Sequence, residues 1–424
     1  MKLIVALVLV GLGMGSGELR AGGLTTGPEQ KNLIEALSGA AQLGVGGLPN
    51  ILSQRFSDSP EIQTTAQYLK TKYDELGIQA GIADYDPMDA FPFYFQSIDR
   101  TYRSYFVHML PMLRSDFDGL CAGTLPADKL ETVLKRLKRV SLEKDALCSV
   151  AAADRVETYI HRTIENSTSI TKKMLTNRTQ TTWPNVLAYI PTGENGGEVF
   201  ERPVCVIGAH MDSVARDGGG RGPIISPATL APGADDNGSG TAAVLTLARG
   251  LRDWVVQSKP ANIKCDIIFA HFSGEEEGLI GSIAFTRLMM KRPILWMVNF
   301  DMIAYNGSPE KHEAVLNVGY DKAFGRQIAD YFTGDSATLK TLIIERETFI
   351  YSSDQIAFWD VGVPGISISE QACSNPKCDS PFKFFNPNLH TPGDIAGILD
   401  FEYAANIIEH SFDGLKQLLT GKRN

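Results

Sequence analysis

Short apolar runs alternate with amphipathic stretches along the second half of the chain, and this alternation predicts its fold class. Four runs have the β-branched and aromatic content of buried strands, at residues 186–190, 204–209, 265–272 and 294–300. Two amphipathic stretches, at 239–256 and 282–291, have helical spacing. Strands separated by helices predict an α/β fold, a mixed, mostly parallel twisted sheet covered by helices on both faces. The carboxyl ends of such strands are where functional residues gather.

The first half of the chain has helical rather than strand periodicity. A helix is predicted to start at Pro60 and to end at Gly77, because one apolar stripe runs between them: Ile62, Ala66, Leu69, Tyr73 and Leu76. From about residue 91 to 180 the pattern is helical or irregular.

The N-terminal residues 1–17 have the pattern of a secretory signal peptide. Lys2 precedes an apolar run at residues 3–12, and the small residues of Gly15-Ser-Gly17 follow it. We expect cleavage after Gly17, with Ala21 as the alternative. The expected location is outside the cell or in the lumen of the secretory pathway, a vacuole or a lysosome. The run is shorter than the ~20 residues of a bilayer span, so we expect no stable membrane anchor.

Composition and charge exclude several classes of protein. Hydrophobic residues are 43% of the chain and charged residues 21%, values of an ordinary globular protein rather than of a disordered, collagenous or coiled-coil one. The net charge is −9, with 49 acidic residues against 40 Lys and Arg. Such a field repels phosphate backbones, so we expect no nucleic-acid partner.

An oxidising compartment makes the 6 cysteines informative. Two disulfides are predicted: Cys121 with Cys148, and Cys373 with Cys378. Cys205 and Cys265 each begin an apolar run, and we expect them to be buried free thiols on strands. Asn166 and Asn177 start glycosylation sequons in a polar stretch and are predicted glycosylation sites.

Candidate chemistry is concentrated in five short stretches, most of them next to a predicted strand end. They are His210-Met-Asp212, Gly233-Ala-Asp235-Asp236-Asn-Gly-Ser-Gly240, Gly274-Glu275-Glu276-Glu277-Gly278, Asn299-Phe-Asp301 and Leu389-His390-Thr-Pro-Gly-Asp394. Each is unspecific alone, since an Asp pair before a helix is usually a cap and an acidic triplet is usually solvated surface. Together they supply imidazoles and carboxylates, which are ligands for zinc.

The number of ligands fits two zinc ions. Two tetrahedral ions can share one carboxylate and one water, after which each needs one more carboxylate and one imidazole. Four residues fill those places: His210, Asp301, Glu276 and His390. Asp235 is assigned the bridging position, and Glu275 remains free to act as general base on the shared water. Glu277 is left as a surface residue.

These stretches, in this order, resemble the secreted zinc aminopeptidases of the bacterial leucyl aminopeptidase type, which are di-zinc exopeptidases. The shared motifs are His210-Met-Asp-Ser, Gly233-Ala-Asp-Asp-Asn-Gly-Ser-Gly, Glu275-Glu-Glu-Gly-Leu-Ile-Gly-Ser, Asp301-Met and His390-Thr-Pro-Gly-Asp. The resemblance runs from about residue 184 to the C-terminus. It implies that Asp212 orients His210 through the second ring nitrogen, and that Asp236 follows the bridging ligand across an unusual cis bond.

The resemblance implies a secreted enzyme that removes N-terminal residues from peptides with a free N-terminus. Hydrolysis would use a hydroxide held by both zinc ions, with Glu275 as the base. Tyr351 is a candidate for stabilising the oxyanion, with a core or rim aromatic as the alternative. The expected organisation is a catalytic domain over 24–424 with a helical insertion at about 91–153. That insertion could shade the cleft, form a dimer surface or be a pro-like element.

Two other functions remain open from the sequence. Glutaminyl cyclases share the expected fold but use one zinc ion for an intramolecular acyl transfer. A metal-free ectodomain that keeps the fold as a binding platform is the alternative outside enzymes. The presence of all five candidate ligands and of the base favours the aminopeptidase.

Overall fold

The computed structural model describes residues 24–49, 51–52, 54–94, 97, 103, 110–193, 202–217, 230–260, 262–307, 312–318, 322–333, 339–344, 353–370 and 385–422. The chain divides into two compact units. One comprises residues 1–90, 179–345 and 351–424, and the other comprises 91–178 and 346–350. The predicted signal peptide and the pair Cys373 and Cys378 lie outside the described residues.

The larger unit is built on one mixed sheet, which confirms the predicted α/β class. Its eight described strands are β1 Gln79–Tyr85, β2 Trp183–Ile190, β3 Val204–His210, β4 Asp266–Phe272, β5 Ile294–Phe300, β6 Glu313–Asn317, β7 Lys340–Ile344 and β8 Gly365–Ser369. They lie in the order β1-β2-β4-β3-β5-β8-β6-β7. All four strands predicted from the apolar runs are present.

Parallel strands occupy the centre of this sheet, and their common direction positions the candidate residues. Strands β4, β3, β5 and β8 pair in parallel, whereas β1 and β2 on one side and the β8–β6 pair on the other are antiparallel. Strands β3 and β4 are buried along their whole length. The carboxyl ends of β3, β4 and β5 therefore meet at one edge of the sheet.

Helices pack against this sheet. The described helices of the larger unit include α1 Gly27–Leu37, α2 Pro60–Glu75, α7 Gly240–Ser258, α8 Ile280–Leu288, α9 Lys322–Ala329, α10 Gln355–Trp359 and α11 Phe401–Thr420. Three of them, α2, α7 and α8, match the helices predicted from the sequence. Most of the residues on α7 from Gly240 to Leu251 are buried in the main core, as expected for a helix between two layers. The main core also contains Ile62, Leu69 and Tyr73 of α2.

The smaller unit is helical in the residues that the structure describes. Its helices are α3 Leu110–Ala122, α4 Ala127–Arg139, α5 Lys144–Ser149 and α6 Arg155–Thr176. They share a separate apolar core that contains Phe117 of α3, Leu137 of α4 and Ile160 of α6. Because α6 contributes to this core, the helical unit continues past residue 153, where the sequence alone placed its end. The predicted disulfide Cys121–Cys148 is formed and joins α3 to α5.

The expectation for the remaining buried cysteines was wrong, because Cys205 and Cys265 form a second disulfide. Strands β3 and β4 are parallel neighbours, and their pairing begins at Val204 and Asp266. Cys205 is the second residue of β3 and Cys265 directly precedes β4, so both cysteines lie near the start of adjacent strands. No described helix combines the length and the apolar character needed to cross a membrane.

Candidate metal centre

The ends of three parallel strands bring the candidate ligands together. His210 is the last residue of β3, Asp301 follows β5, and Glu276 lies four residues after β4. His390 comes from the loop that precedes α11. Its imidazole Nε2 is 2.9 Å from Glu276 Oε2, and the Nε2 of His210 is 3.5 Å from Asp301 Oδ1. Asp301 thus lies beside one imidazole and Glu276 beside the other.

Asp236 connects these two pairs. Its Oδ1 is 3.2 Å from His210 Nε2 and its Oδ2 is 3.0 Å from His390 Nε2. Within each of two groups, His210 with Asp236 and Asp301, and His390 with Asp236 and Glu276, the potential ligand atoms lie within 4.8 Å of one another. A single carboxylate with one oxygen on each group has the geometry of a bridging ligand.

Asp235 does not occupy the bridging position that the sequence assigned to it. Its Oδ1 accepts a hydrogen bond from the backbone N–H of Ala304 at 2.9 Å, and its Oδ2 accepts one from Asn386 Nδ2 at 3.4 Å. The backbone of Asp236 is not helical (φ −100°, ψ 94°), so the neighbouring side chains diverge. The cis bond lies after Asp236, where it joins Asn237, and not between the two aspartates.

Asp212 lies behind His210 and fixes its ring, as the resemblance implies. The Nδ1 of His210 is 3.5 Å from Asp212 Oδ1 and 3.2 Å from the Asp212 backbone oxygen. Asp212 Oδ2 accepts hydrogen bonds from Ser57 Oγ at 3.1 Å and from the backbone N–H of Glu276 at 3.2 Å. This carboxylate therefore orients one imidazole and also holds the loop that carries Glu276.

Arg216 makes a second connection to the loop that carries Glu276. Its Nη2 donates to the backbone oxygen of Glu276 at 2.5 Å and is 3.8 Å from Glu276 Oε2. Its backbone N–H donates to the His390 oxygen at 2.8 Å. The structure therefore places Arg216 against Glu276 and His390, the residues of one ligand group.

The carboxylates around both imidazoles make the site attractive to positive charge. Burial would lower the pKa of His210, but the charges of Asp301 and Glu275 raise it well above its ordinary value. Burial likewise opposes the charged form of His390, and the charge of Glu276 raises that pKa well above its ordinary value. Burial would raise the pKa of Asp236, but the two imidazoles hold it well below its usual range.

The pKa values of Glu275 and Glu276 are raised, in contrast to the lowered pKa of Asp236. Burial raises the pKa of Glu275 well above its ordinary value, and the neighbouring charges of Glu276 and Asp301 add to the increase while His210 opposes it. Burial also raises the pKa of Glu276, which His390 counteracts. A divalent cation among these groups would offset the repulsion that raises both values.

Two oxygens of the ligand groups support a metal directly. Glu276 Oε1 and Asp301 Oδ1 are buried, and neither has a hydrogen-bond partner among the described residues. A buried carboxylate oxygen without a partner is costly unless a ligand satisfies it. Imidazole nitrogen with carboxylate oxygen is a donor set that zinc accepts. The residues present therefore fit a metal.

Glu277 was wrongly assigned to the surface, because its side chain is only 4% exposed. Burial raises its pKa well above the ordinary value, and the charges of Asp212 and Glu276 contribute. Asp354, for which the sequence pattern predicts no role, is fully buried, and the charges of Asp212 and Asp301 act on it. Burial raises the pKa of Asp354 to about 7, although His210 opposes the rise. In the sequence, Asp354 is marked only by its position three residues after the candidate Tyr351. Tyr351 itself lies outside the described residues.

A second layer of polar groups supports the turn that carries both aspartates. The carboxylate of Asp394 accepts the backbone N–H groups of Asp235 at 3.1 Å and Asp236 at 3.0 Å, and Asn386 Nδ2 donates to it at 2.9 Å. Burial raises the pKa of Asp394 to about 8, and the charge of Asp235 contributes. Burial also raises the pKa of Glu370 next to Asp235. Of the three supporting residues Asp394, Asn386 and Glu370, only Asp394 lies in one of the five candidate stretches.

Comparison with known proteins places this site in a family. Residues 185–411, more than half of the chain, match the model of Peptidase family M28. The chain belongs to peptidase family M28. Strands β3 to β8, most of β2 and the residues of both ligand groups lie within the matched segment. Together with the donor set, this family membership supports zinc as the metal.

The relatives of this M28 chain include fungal peptidases. Leucine aminopeptidase 1 of Trichophyton equinum is 31% identical over 219 residues, which are 49% of this chain and 52% of the relative. Leucine aminopeptidase 1 of Metarhizium robertsii is 30% identical over 237 residues, 52% of each protein. The chain therefore spans about half the length of the curated relatives it matches.

Solved structures share the fold of this M28 chain at low identity. The LapA aminopeptidase of Legionella pneumophila has a TM-score of 0.51 at 15% identity, over 94% of this chain and 73% of LapA. A glutaminyl cyclase of Porphyromonas gingivalis has a TM-score of 0.52 at 12% identity, over 94% of this chain and 100% of the cyclase. At these identities the likeness shows the fold alone. The two solved proteins have different named activities, an aminopeptidase and a glutaminyl cyclase.

Proposed function

We propose that this protein is a zinc-dependent aminopeptidase that uses two metal ions to hydrolyse the first peptide bond of substrates with a free N-terminus. The observation that carries the proposal is the sharing of Asp236 by two groups of possible ligands. His210 and Asp301 would complete one metal position, and Glu276 and His390 the other. Because the fungal relatives are named leucine aminopeptidases, leucine is the first N-terminal residue to test.

The chemistry divides between the metals and the protein. Bound zinc supplies a Lewis acid that polarises the scissile carbonyl and lowers the pKa of water. The part of the protein is to hold the ligands still before substrate arrives. Asp212 holds His210 in place. The carboxylate of Asp394 holds the turn of Asp236, because it accepts hydrogen bonds from the backbone N–H groups of Asp235 and Asp236.

Glu275 is the proposed general base. Its backbone N–H donates to Asp212 Oδ1 at 3.4 Å, and the charges of His210, Glu276 and Asp301 act on its carboxylate, so Glu275 belongs to the same cluster of charged groups. Glu275 would accept a proton from the attacking water as the water oxygen bonds to the carbonyl carbon. It would return that proton to the nitrogen as the C–N bond breaks, which leaves a free amino acid and a shortened peptide.

Selection for the N-terminus follows from the negative charge of the site. The free amino group of a substrate is a cation or a metal ligand, and a cluster of carboxylates attracts it. An N-acylated peptide has neither property at that position. We therefore expect exopeptidase activity on free N-termini and none on blocked ones.

The protein is proposed to act in an oxidising compartment outside the cytoplasm. Two disulfides join described residues, Cys121–Cys148 and Cys205–Cys265. Disulfides persist in secreted proteins and in the lumen of the secretory pathway. Glycosylation at Asn166 and Asn177 stays a prediction, and intact-mass measurement before and after deglycosylation would test it.

One substrate panel tests the proposal against its rivals. Purified protein would be assayed with leucyl and other aminoacyl arylamides, with the N-acetylated forms of the same compounds, and with a peptide that begins with glutamine. Each assay would be run with added zinc, without it and after chelation. Hydrolysis of the free arylamides alone, lost on chelation and restored by zinc, is the expected result.

Two other outcomes would replace the proposal. Cyclisation of the N-terminal glutamine without release of an amino acid would identify a glutaminyl cyclase. Failure to bind zinc, with no activity after zinc is added back, would favour a binding platform.

A further inference from the structure

Arg55 is a fully buried guanidinium beneath the candidate metal centre. It lies in the segment before α2, in none of the five stretches that carry the candidate chemistry. The side chain is 0% exposed. A buried cation is expensive unless its donors are satisfied, so its hydrogen bonds show what it is holding.

The guanidinium donates to four backbone oxygens from three separate segments. Nε donates to Met211 at 2.8 Å, Nη2 to Gly233 at 2.7 Å, and Nη1 to Pro232 and Leu37 at 2.6 Å each. Met211 lies between His210 and Asp212, and Gly233 lies two residues before Asp235. One planar group therefore connects the loop of the first imidazole to the turn that carries Asp236.

Two further contacts tighten this connection. The backbone N–H of Arg55 donates to Ser213 Oγ at 3.2 Å, and Ser213 Oγ donates to the oxygen of Ala231 at 2.7 Å. Gly233 has φ +52°, and a Cβ atom built there would lie 2.3 Å from the Asp236 oxygen, 2.4 Å from Ser213 Cβ and 2.9 Å from Arg55 Nη2. Glycine is thus required where this turn packs against itself, Ser213 and the guanidinium.

The charge of Arg55 acts on both ligand groups. The carboxylates whose charges act on it are Asp394, Asp212, Asp236 and Glu276. Its four hydrogen bonds go to neutral backbone oxygens, so no single carboxylate in direct contact neutralises its positive charge. A fixed cation at this place reduces the mutual repulsion of the acids.

We propose that Arg55 is a positioning residue that holds the two ligand-bearing loops in their metal-binding arrangement and offsets the repulsion of the carboxylates before metal arrives. The inference rests on the metal-binding part of the proposed function. Lysine cannot replace arginine here, because an ammonium lacks the planar set of donors that reaches three segments at once.

The test compares Arg55→Lys and Arg55→Met with Arg292→Met in the full chain. Arg292 is a matched control, because its side chain is 9% exposed and its guanidinium bonds to Asp266 and to the Arg202 oxygen, away from the metal centre. Zinc affinity would be measured by competition with a chromophoric chelator, and stability by urea unfolding of the metal-free protein. Both Arg55 variants are expected to bind zinc about 10- to 100-fold more weakly. Arg292→Met is expected to lose stability while its zinc affinity stays within about threefold of the wild type.

Several outcomes would overturn the proposal. Wild-type zinc affinity in a folded Arg55 variant is one, and an equal loss of affinity in Arg292→Met is another. If neither Arg55 variant folds without metal, refolding would be followed against zinc concentration. Recovery at a higher zinc concentration than the wild type needs supports the proposal, whereas failure to recover at saturation shows a general structural role.

The wild-type protein separates this proposal from the proposed function. If the wild type binds zinc but does not hydrolyse peptides, the proposed aminopeptidase activity is refuted, and the test of Arg55 still stands. Aminopeptidase activity in the wild type, with unchanged zinc affinity in the Arg55 variants, would remove only the role of Arg55.

Discussion

Two buried polar clusters lie at opposite ends of β4, and they are organised differently. At its start, the carboxylate of Asp266 is 3% exposed and is surrounded by donors. Arg202 Nε and Arg292 Nη2 donate to it at 3.2 and 3.1 Å, the Thr192 N–H at 3.1 Å, and the Tyr189 hydroxyl also donates to it. Donors from within the protein, two of them guanidinium groups, thus satisfy this carboxylate.

The cluster after the other end of β4 is not balanced. Its acids crowd around two imidazoles, and burial raises the pKa of Glu275 and of Glu276. Oxygens of Glu276 and Asp301 have no hydrogen-bond partner in the described part of the chain. The first cluster uses guanidinium groups to complete a fold, whereas the second leaves places that a cation can fill.

The difference suggests a criterion for telling structural acids from functional acids in this chain. A buried acid that is fully paired stabilises the fold with no ligand, so its loss should affect stability alone. Buried acids that repel each other destabilise the fold unless something binds, so their loss should affect binding first.

The largest expected effect distinguishes the two neighbouring aspartates. Asp236→Asn removes the carboxylate that both groups share. We expect bound zinc to fall below the two ions per chain that we propose and kcat/KM to fall by at least about 10⁴-fold, because metal and base action are lost together. Asp235→Asn keeps an oxygen for the Ala304 N–H and should retain zinc and most activity. Metal analysis and steady-state kinetics measure both. The reverse ranking would restore Asp235 as the bridging ligand.

The next effect separates catalysis from metal binding within the same cluster. Glu275→Gln keeps the size of the side chain but cannot accept the proton, so we expect kcat to fall by about 10²- to 10⁴-fold with both metals retained. The KM for an arylamide substrate should change little, since the substrate amine and carbonyl keep their partners. Near wild-type kcat in a fully metallated Glu275→Gln protein would show that another group is the base.

The strands and four of the candidate ligands follow from the sequence for a simple physical reason. Apolar runs predict buried strands, and the carboxyl ends of parallel strands share one edge of a sheet. The pattern therefore predicts that His210, Glu276 and Asp301 lie near each other. The need of a second metal for an imidazole adds His390, which the structure brings to the same place.

The remaining features depend on contacts that the sequence pattern does not contain. Asp235 and Asp236 are chemically identical neighbours, and the backbone of the turn decides which one faces the imidazoles. The burial of Glu277 depends on residues distant in the chain, such as Ser57 and Asp212. Pairing Cys205 with Cys265 requires knowing that β3 and β4 are neighbours.

The paired cluster is expected to respond in stability rather than in metal binding. Asp266→Ala leaves two guanidinium groups without their carboxylate, and we expect the free energy of unfolding to fall by about 3 kcal/mol. The lower end of the usual range applies because the Arg202 side chain is 35% exposed and stays partly hydrated. Urea unfolding of the metal-free protein would measure the loss. A large loss of zinc affinity in Asp266→Ala would break the distinction between the two clusters.

The smallest expected effect concerns His271, a buried residue of β4 between the two clusters. Its Nε2 is 2.8 Å from the Tyr73 hydroxyl, and burial lowers its pKa to about 3. The unfolded chain would bind a proton at this residue near the ordinary pKa of about 6.5. Between about pH 6.5 and 3 the unfolded state therefore binds more protons, so acidification should lower the free energy of unfolding.

At pH 5 this single group accounts for about 2 kcal/mol of lost stability relative to neutral pH. His271→Gln cannot take up the proton, so its free energy of unfolding should fall less between pH 7 and pH 5, whatever the substitution costs at both values. Urea unfolding of metal-free wild type and His271→Gln at the two pH values gives the difference directly, because the site carboxylates are the same in both proteins. An equal pH dependence in the two proteins would mean that the acid sensitivity of the fold comes from the unbalanced cluster at the metal centre rather than from β4.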